Sequence, residues 1–225
     1  MKTALPSSQI TSEFYDFIYR NVDAAVELTL LDYNLLVIQA KRDYRKIMAL
    51  EIFNPFENRL CRDIRNDLSE TFLDVLEARS ITPSEQVAAG FLKKDLPKIC
   101  RDYILVRLKR YQRVLDTIEL HGDELYISAA ITWDQKLFFE VHELLEPPWM
   151  KAEGAEKLLL QALIRAAGVY LNLELDYTDR ARKISLKAIP ILEEHHRLLP
   201  NTLDADRLIS SLKALDPVAP SLLSV

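Results

Sequence analysis

The scarcity of glycine constrains this chain more than any other feature. Four glycines in 225 residues is far below the roughly 7% of average usage. A chain so short of the residue that tolerates left-handed backbone lacks material for many tight β-turns. The expected fold class is therefore all-α, a helical bundle. With 49% hydrophobic and 28% charged residues, the composition is that of a globular protein with enough apolar material for a core.

Helix starts can be read from capping chemistry, in which a short polar side chain accepts a bond from an orphan amide. Asn54-Pro55-Phe56-Glu57, Thr82-Pro83-Ser84-Glu85 and Thr132-Trp133-Asp134-Gln135 carry this pattern, the first two with a proline where its missing N–H costs nothing. They predict helices at about 54–79, 84–119 with Asp95 as a restart point, and 133–146. Further helices are expected at 154–175, 178–196 and near 204–215. Ser12 to Phe53 contains neither glycine nor proline and reads as two helices joined near Asp32-Tyr33-Asn34. Pro190 should kink or end the helix around it. His121-Gly122 reads as a helix end.

These signals divide the chain into an N-terminal helical region over 1–120, a C-terminal helical domain over 131–215 and a flexible tail over 216–225. The N-terminal region is expected to pack as an extension on the C-terminal domain. No stretch reaches the roughly 18 uninterrupted apolar residues of a membrane span, and the N-terminus lacks a secretory h-region. A cytoplasmic protein is expected, with Cys61 and Cys100 reduced and serving as small core residues. Cys61-Arg62-Asp63 is echoed thirty-nine residues on by Cys100-Arg101-Asp102, too weakly to define a repeat. The net charge of −5 makes nucleic acid an unlikely partner. The basic run over 93–113 reads as a solvated helix face.

Within that run an apolar face passes through Leu96, Cys100, Tyr103, Ile104, Leu108, Tyr111 and Leu115, and Arg107 falls in its middle. A buried arginine needs a carboxylate or several carbonyls. An acid from the first half of the chain is expected against it, with Asp63 the candidate.

The chain has no phosphate-binding glycine loop, no G-x-S-x-G elbow, no C-x-x-C and no H-E-x-x-H helix. The suggestive patch is Phe138 to Glu146. On a helical wheel Leu137, Phe138, Val141, Leu144 and Leu145 form a core face. His142 and Glu146 lie at its border, four residues apart and so neighbours, while Glu143 and Phe139 point away. An aromatic on the polar side suggests a cover. The next segment, Leu158 to Leu175, is apolar nearly all round apart from the line Gln161, Arg165, Gly168 and Asn172. Buried polar groups must find partners, so Arg165 is expected to pair with Glu143 or Glu146, and Gln161 with His142. Trp149 is expected to pack rather than to stack a ligand. The candidate polar pocket is Glu140, His142, Glu143, Glu146, Trp149, Gln161, Arg165 and Asn172.

A polar network fixing helix register is the preferred reading, with no metal and no other cofactor, because Arg165 would repel a cation. It makes the chain a non-enzymatic interaction or scaffold module, partnered by a second copy or another protein. The alternative is a metal-dependent or acid–base enzyme, hydrolase-like, using His142, Glu143 and Glu146.

The residues Phe138, Glu140, His142, Glu143, Glu146 and Trp149, followed by Gln161, Leu163 and Ile164, resemble the pattern F-x-E-x-H-E-x-x-E-x-x-W and Q-G-L-I-Q of the domain of unknown function 309 family. The resemblance spans about residues 131–195. Ala162 replaces the family's glycine, Arg165 stands where glutamine is usual, and a later Gly-Asn pair is missing around Leu175 to Asp179. The resemblance implies an all-α fold and a bacterial or archaeal cytosolic protein, and it implies no particular activity. Residues 1–120 would extend that family core.

Overall fold

Asn54 and Asn58 set how the described part of the chain begins. Asn54 accepts from the Phe56 amide (3.0 Å) and makes a turn, and Asn58 caps the first helix by accepting from the Cys61 amide (3.1 Å). A computed structural model describes residues 52–223. The helices expected over Ser12–Phe53 lie, but for the last two residues, outside it. Residues 53–225 group as one compact unit, and among the described residues it is all helical, joined by one isolated bridge between Leu203 and Leu223.

The helices are α1 (Arg59–Glu70), α2 (Phe72–Ala78), α3 (Thr82–Leu92), α4 (Lys98–His121), α5 (Leu125–Asp134), α6 (Phe138–Lys151), α7 (Gly154–Leu173), α8 (Thr178–His195) and α9 (Ala205–Ala214). The single helix expected over 54–79 is two. At Thr71 the hydroxyl donates to the Leu68 carbonyl (2.7 Å), competing with the helical ladder, and the chain turns. The restart expected at Asp95 falls at Lys98, directly after Pro97. The end of α4 is where His121-Gly122 placed it. Gly122 has φ +98°, and a Cβ there would come within 2.5 Å of Glu124 Oε2.

The largest correction concerns α5. Thr132 does not cap a helix beginning at Trp133. It lies near the end of α5, with its hydroxyl donating back to the Ser128 carbonyl (2.7 Å). Ser128 through Trp133 are all buried, so no polar face betrays a period. Lys136, at φ +55°, makes the turn into α6. That helix then continues through Pro147 and Pro148 to Lys151, and α8 likewise runs through Pro190. A proline accepts helical φ and forfeits one i to i−4 bond, which surrounding packing can offset.

Three apolar clusters hold the unit together. Cys61, Ile64, Leu68, Ala88 and Cys100 join α1, α3 and α4. There the two cysteine sulfurs of the sequence echo lie 3.9 Å apart. Phe72, Tyr111, Leu115 and Ile131 join α2, α4 and α5. The largest cluster binds α5 to α9 around Trp133, Phe138 and Tyr170. The Trp133 ring meets Phe138 edge-on at 5.0 Å and Tyr170 edge-on at 5.1 Å. Each such buried aromatic or aliphatic side chain contributes about 1.5–3 kcal/mol.

Residues 216–223, expected to form a flexible tail, return to α5. Asp134 accepts from Ser221 Oγ (2.7 Å) and from the Leu222 amide (2.7 Å), and Trp133 Nε1 donates to the Pro220 carbonyl (2.9 Å). No described helix is long and apolar enough to cross a membrane.

Candidate functional site

Helix α6 begins at Phe138, and from that start the 100° step per residue sends its polar residues in two directions. Glu140 goes inward and is 1% exposed. The Tyr111 hydroxyl of α4 donates to its Oε1 (2.7 Å), and Arg107 Nη1, also of α4, lies 3.4 Å from its Oε2. The Arg107 Nη1 donates to the carbonyl of Lys136 (3.3 Å), as does Arg110 Nη1 (3.3 Å). The left-handed turn between α5 and α6 is thus pinned by two guanidinium groups. Arg107 Cζ stands 4.8 Å over the Tyr103 ring, and Tyr103 stacks on Phe53 at 3.5 Å.

Burial works most strongly against the charge on Arg107, but the Glu140 carboxylate together with the Tyr103 and Tyr111 oxygens offsets this and raises its pKa. Burial and the same carboxylate hold the Tyr111 hydroxyl well above its ordinary value, so it stays a donor. Among the described residues, Glu140 Oε2 and Arg107 Nε have no hydrogen-bond partner. The ion pair is therefore held by charge and burial more than by a well-aligned bond. Arg107 is buried as its place in an apolar face demanded, but its partner is not Asp63. That acid sits on the exposed side of α1, 3.7 Å from Arg59.

His142, Glu143 and Glu146 go the other way. His142 Nδ1 is 3.2 Å from Glu143 Oε1, and the two side chains are 37% and 24% exposed. Each of the three residues offers a ligand atom, and these atoms lie within 4.8 Å of one another. The bond to Glu143 raises the His142 pKa, against the opposing effect of partial burial. Phe139, the misplaced aromatic, is covered by Arg65 of α1, whose Cζ stands 4.0 Å over its ring. The cover expected from α7 is thus supplied by α1.

The α7 stripe turns elsewhere. Arg165 Nη1 donates to the Lys187 carbonyl of α8 (3.5 Å). A Cβ on Gly168 would face Ile184 of the same helix, and Asn172 Nδ2 donates to the Gly168 carbonyl (2.8 Å). Among the described residues no hydrogen bond or ion pair joins Arg165 to Glu143 or Glu146, or Gln161 to His142. The expected pairing is replaced by a contact with α8. Because α7 is apolar nearly all round, its wheel could not say which neighbour takes which face. Trp149 lies inside α6 rather than on a loop and packs against the C-terminal core, with Lys157 Nζ 5.8 Å from its ring.

The eight candidates therefore do not form one pocket. Glu140 belongs to a buried network with Arg107 and Tyr111. His142, Glu143 and Glu146 form a half-exposed group on the next turn, and Gln161, Arg165 and Asn172 lie on α7. Arg107 and Tyr111 were legible as members of one helical face, though not as neighbours of Glu140. Nothing in the sequence pointed to Arg65. In the basic run, Arg107 and Arg110 are engaged with the α5–α6 turn, whereas Lys93, Lys94, Lys98, Arg101, Lys109 and Arg113 are exposed, so most of it is the solvated face expected.

No curated protein and no solved structure matches the chain. Residues 126–184 match a family model described as "Domain of unknown function (DUF309)". That span takes in most of α5, all of α6 and α7 and the start of α8, including both the Glu140 anchor and the His142 group. Over residues 126–184 the chain is similar to the DUF309 family.

Proposed function

We propose that the chain is a non-enzymatic interaction or scaffold module of the cytoplasm, in which the motif helix α6 is held in register by the buried Arg107–Glu140–Tyr111 network. The use made of Glu140 supports this reading. A general acid or base must reach the atom whose proton it moves. Glu140 is 1% exposed and is engaged by two side chains of α4. A buried carboxylate of this kind specifies packing. The partner is a second copy or another protein, met through apolar side chains that the α7–α8 hairpin leaves in water. Leu158 and Leu186, 42% and 66% exposed, are the leading contributors.

Sedimentation equilibrium of the full chain tests this. Reversible self-association that weakens in the Leu158→Lys/Leu186→Lys variant is expected. A strictly monomeric protein together with a hydrolytic activity abolished by Glu143→Gln would overturn it in favour of the enzyme reading. That second reading draws on the proximity of His142, Glu143 and Glu146.

A further inference from the structure

A cavity of about 50 Å³ lies between α1, α4 and the end of α7. Phe53, Phe56, Tyr103 and Leu175 give it apolar walls, and Arg65, Arg107 and Glu174 are its charged lining. We propose that it binds a short-chain monocarboxylate, with the carboxylate held by Arg65 and Arg107 and the carbon chain by the aromatic walls. Arg107 is 5% exposed and spends only Nη1, on the Lys136 carbonyl and Glu140. Among the described residues its Nε has no acceptor and no hydrogen bond uses its Nη2. That edge of a guanidinium is one that takes a carboxylate through two parallel bonds. Arg65 gives Nε and Nη2 to a neutral acceptor, Asn66 Oδ1 (3.1 and 2.8 Å), and keeps Nη1. Two guanidinium groups with uncommitted donors in one apolar cavity are matched to a carboxylate.

Charge and size narrow the class of ligand. Burial lowers the Arg65 pKa; Tyr103 and Glu140 oppose this, and Arg62 and Arg107 add to it. An anion between the two guanidinium groups therefore offsets both their burial and their mutual repulsion. Arg110 shares the Lys136 carbonyl with Arg107. Arg65, Arg107 and Arg110 against Glu140 and Glu174 leave one net positive charge, which a monoanion balances and a dianion exceeds. A water-sized group needs about 10–15 Å³, so the cavity takes roughly three to five such groups, the size of acetate or propionate. The apolar walls offer few donors to the four oxygens of sulfate or phosphate. Burial pushes the Tyr103 pKa up to about 12, so its hydroxyl stays a donor. Glu174 is exposed, which puts the mouth of the cavity beside it.

The test follows the arginine side-chain and aromatic NMR signals of the full chain while sodium propionate replaces sodium chloride at constant ionic strength. The Arg65 and Arg107 side-chain N–H signals and the Phe53 ring signals should shift along one saturable curve, with one propionate bound per chain. Sodium sulfate should give no saturable shift at these groups. Arg65→Gln should weaken propionate binding at least about tenfold, as expected for losing one charge-assisted hydrogen bond. Glu174→Gln removes the opposing charge at the mouth, so it should tighten propionate binding and admit sulfate. Lys109→Gln, at an exposed position of α4, should bind propionate like the parent. Circular dichroism checks each variant. Should Arg65→Gln lose the parental spectrum, the unaltered chain and Glu174→Gln, altered at an exposed residue, still read the same site. Absence of a saturable propionate shift, sulfate saturating the unaltered chain equally well, unchanged affinity in Arg65→Gln, or weaker binding in Glu174→Gln would overturn the proposal. None of these outcomes bears on self-association.

Discussion

Replacing Arg107 by methionine removes the cation from the buried pair while keeping a flexible side chain of similar length. Glu140 is then left 1% exposed with one oxygen bonded to Tyr111 and no counter-charge. Breaking a buried pair from one side costs about 3–5 kcal/mol, because the remaining charge is stranded in a poor solvent for ions. The Lys136 carbonyl also loses one of its two arginine donors. For a unit of this size the cost corresponds to a fall in Tm of roughly 6–20 °C. Glu140→Leu should cost a similar amount, by stranding Arg107 and orphaning the Tyr111 hydroxyl. The double variant Arg107→Met/Glu140→Leu should recover most of the loss, since apolar groups of matching volume often equal or exceed a buried ion pair. Urea unfolding followed by far-ultraviolet circular dichroism gives the four stabilities of the cycle. If the single variants each lose less than about 1 kcal/mol, or the double variant loses their sum, the pair is not what holds α6 against α4.

Two further outcomes follow from the same geometry. The His142 ring should titrate above the ordinary value of roughly 6.5, and its midpoint should drop in Glu143→Gln when followed by NMR. A folded pKa above the unfolded one means that the His142–Glu143 contact stabilises fully below about pH 6.5 and is lost as pH rises through the folded midpoint. Partial exposure keeps this contribution below about 1 kcal/mol, and an unmoved midpoint would discount the contact. Asp134→Ala should free the chain end, accelerating amide exchange at Leu222 and Leu223, whose N–H groups both donate to Asp134. Exchange no faster than in the parent would show that the end is held by Leu222 packing alone.

The helical class was legible because glycine scarcity and the proline-led start at Thr82-Pro83 act locally, whereas Asn54-Pro55 makes a turn and the first helix starts only at Arg59. α3 begins within a few residues of its signal, and α4 ends at Gly122. α5 was not legible. Its buried run from Ser128 to Trp133 has no polar face, and Thr132-x-x-Gln135 satisfies a capping pattern by residue type while its backbone is still helical. Pro147 and Pro148 mislead for a related reason, since the cost of a proline is set by tertiary packing that the sequence does not display. At the site, wheel geometry separates Phe139 and Glu143 from the core correctly. It cannot identify neighbours across the fold, so it offers Asp63 for Arg107 and a cover from α7 for Phe139. Their partners are Glu140, at a sequence separation of 33, and Arg65 of α1. Such pairings depend on how helices cross, which residue spacing within one helix does not encode.

The central claim is that the motif of α6 is divided, with Glu140 built into the interior and His142, Glu143 and Glu146 left outside. Parallel unfolding measurements on Glu140→Gln, His142→Asn, Glu143→Gln and Glu146→Gln test it most directly. The division predicts that Glu140→Gln alone loses about 2 kcal/mol or more, while the other three stay within about 0.5 kcal/mol of the parent once metal is removed. Equal losses at all four positions, or the largest at His142, would contradict it.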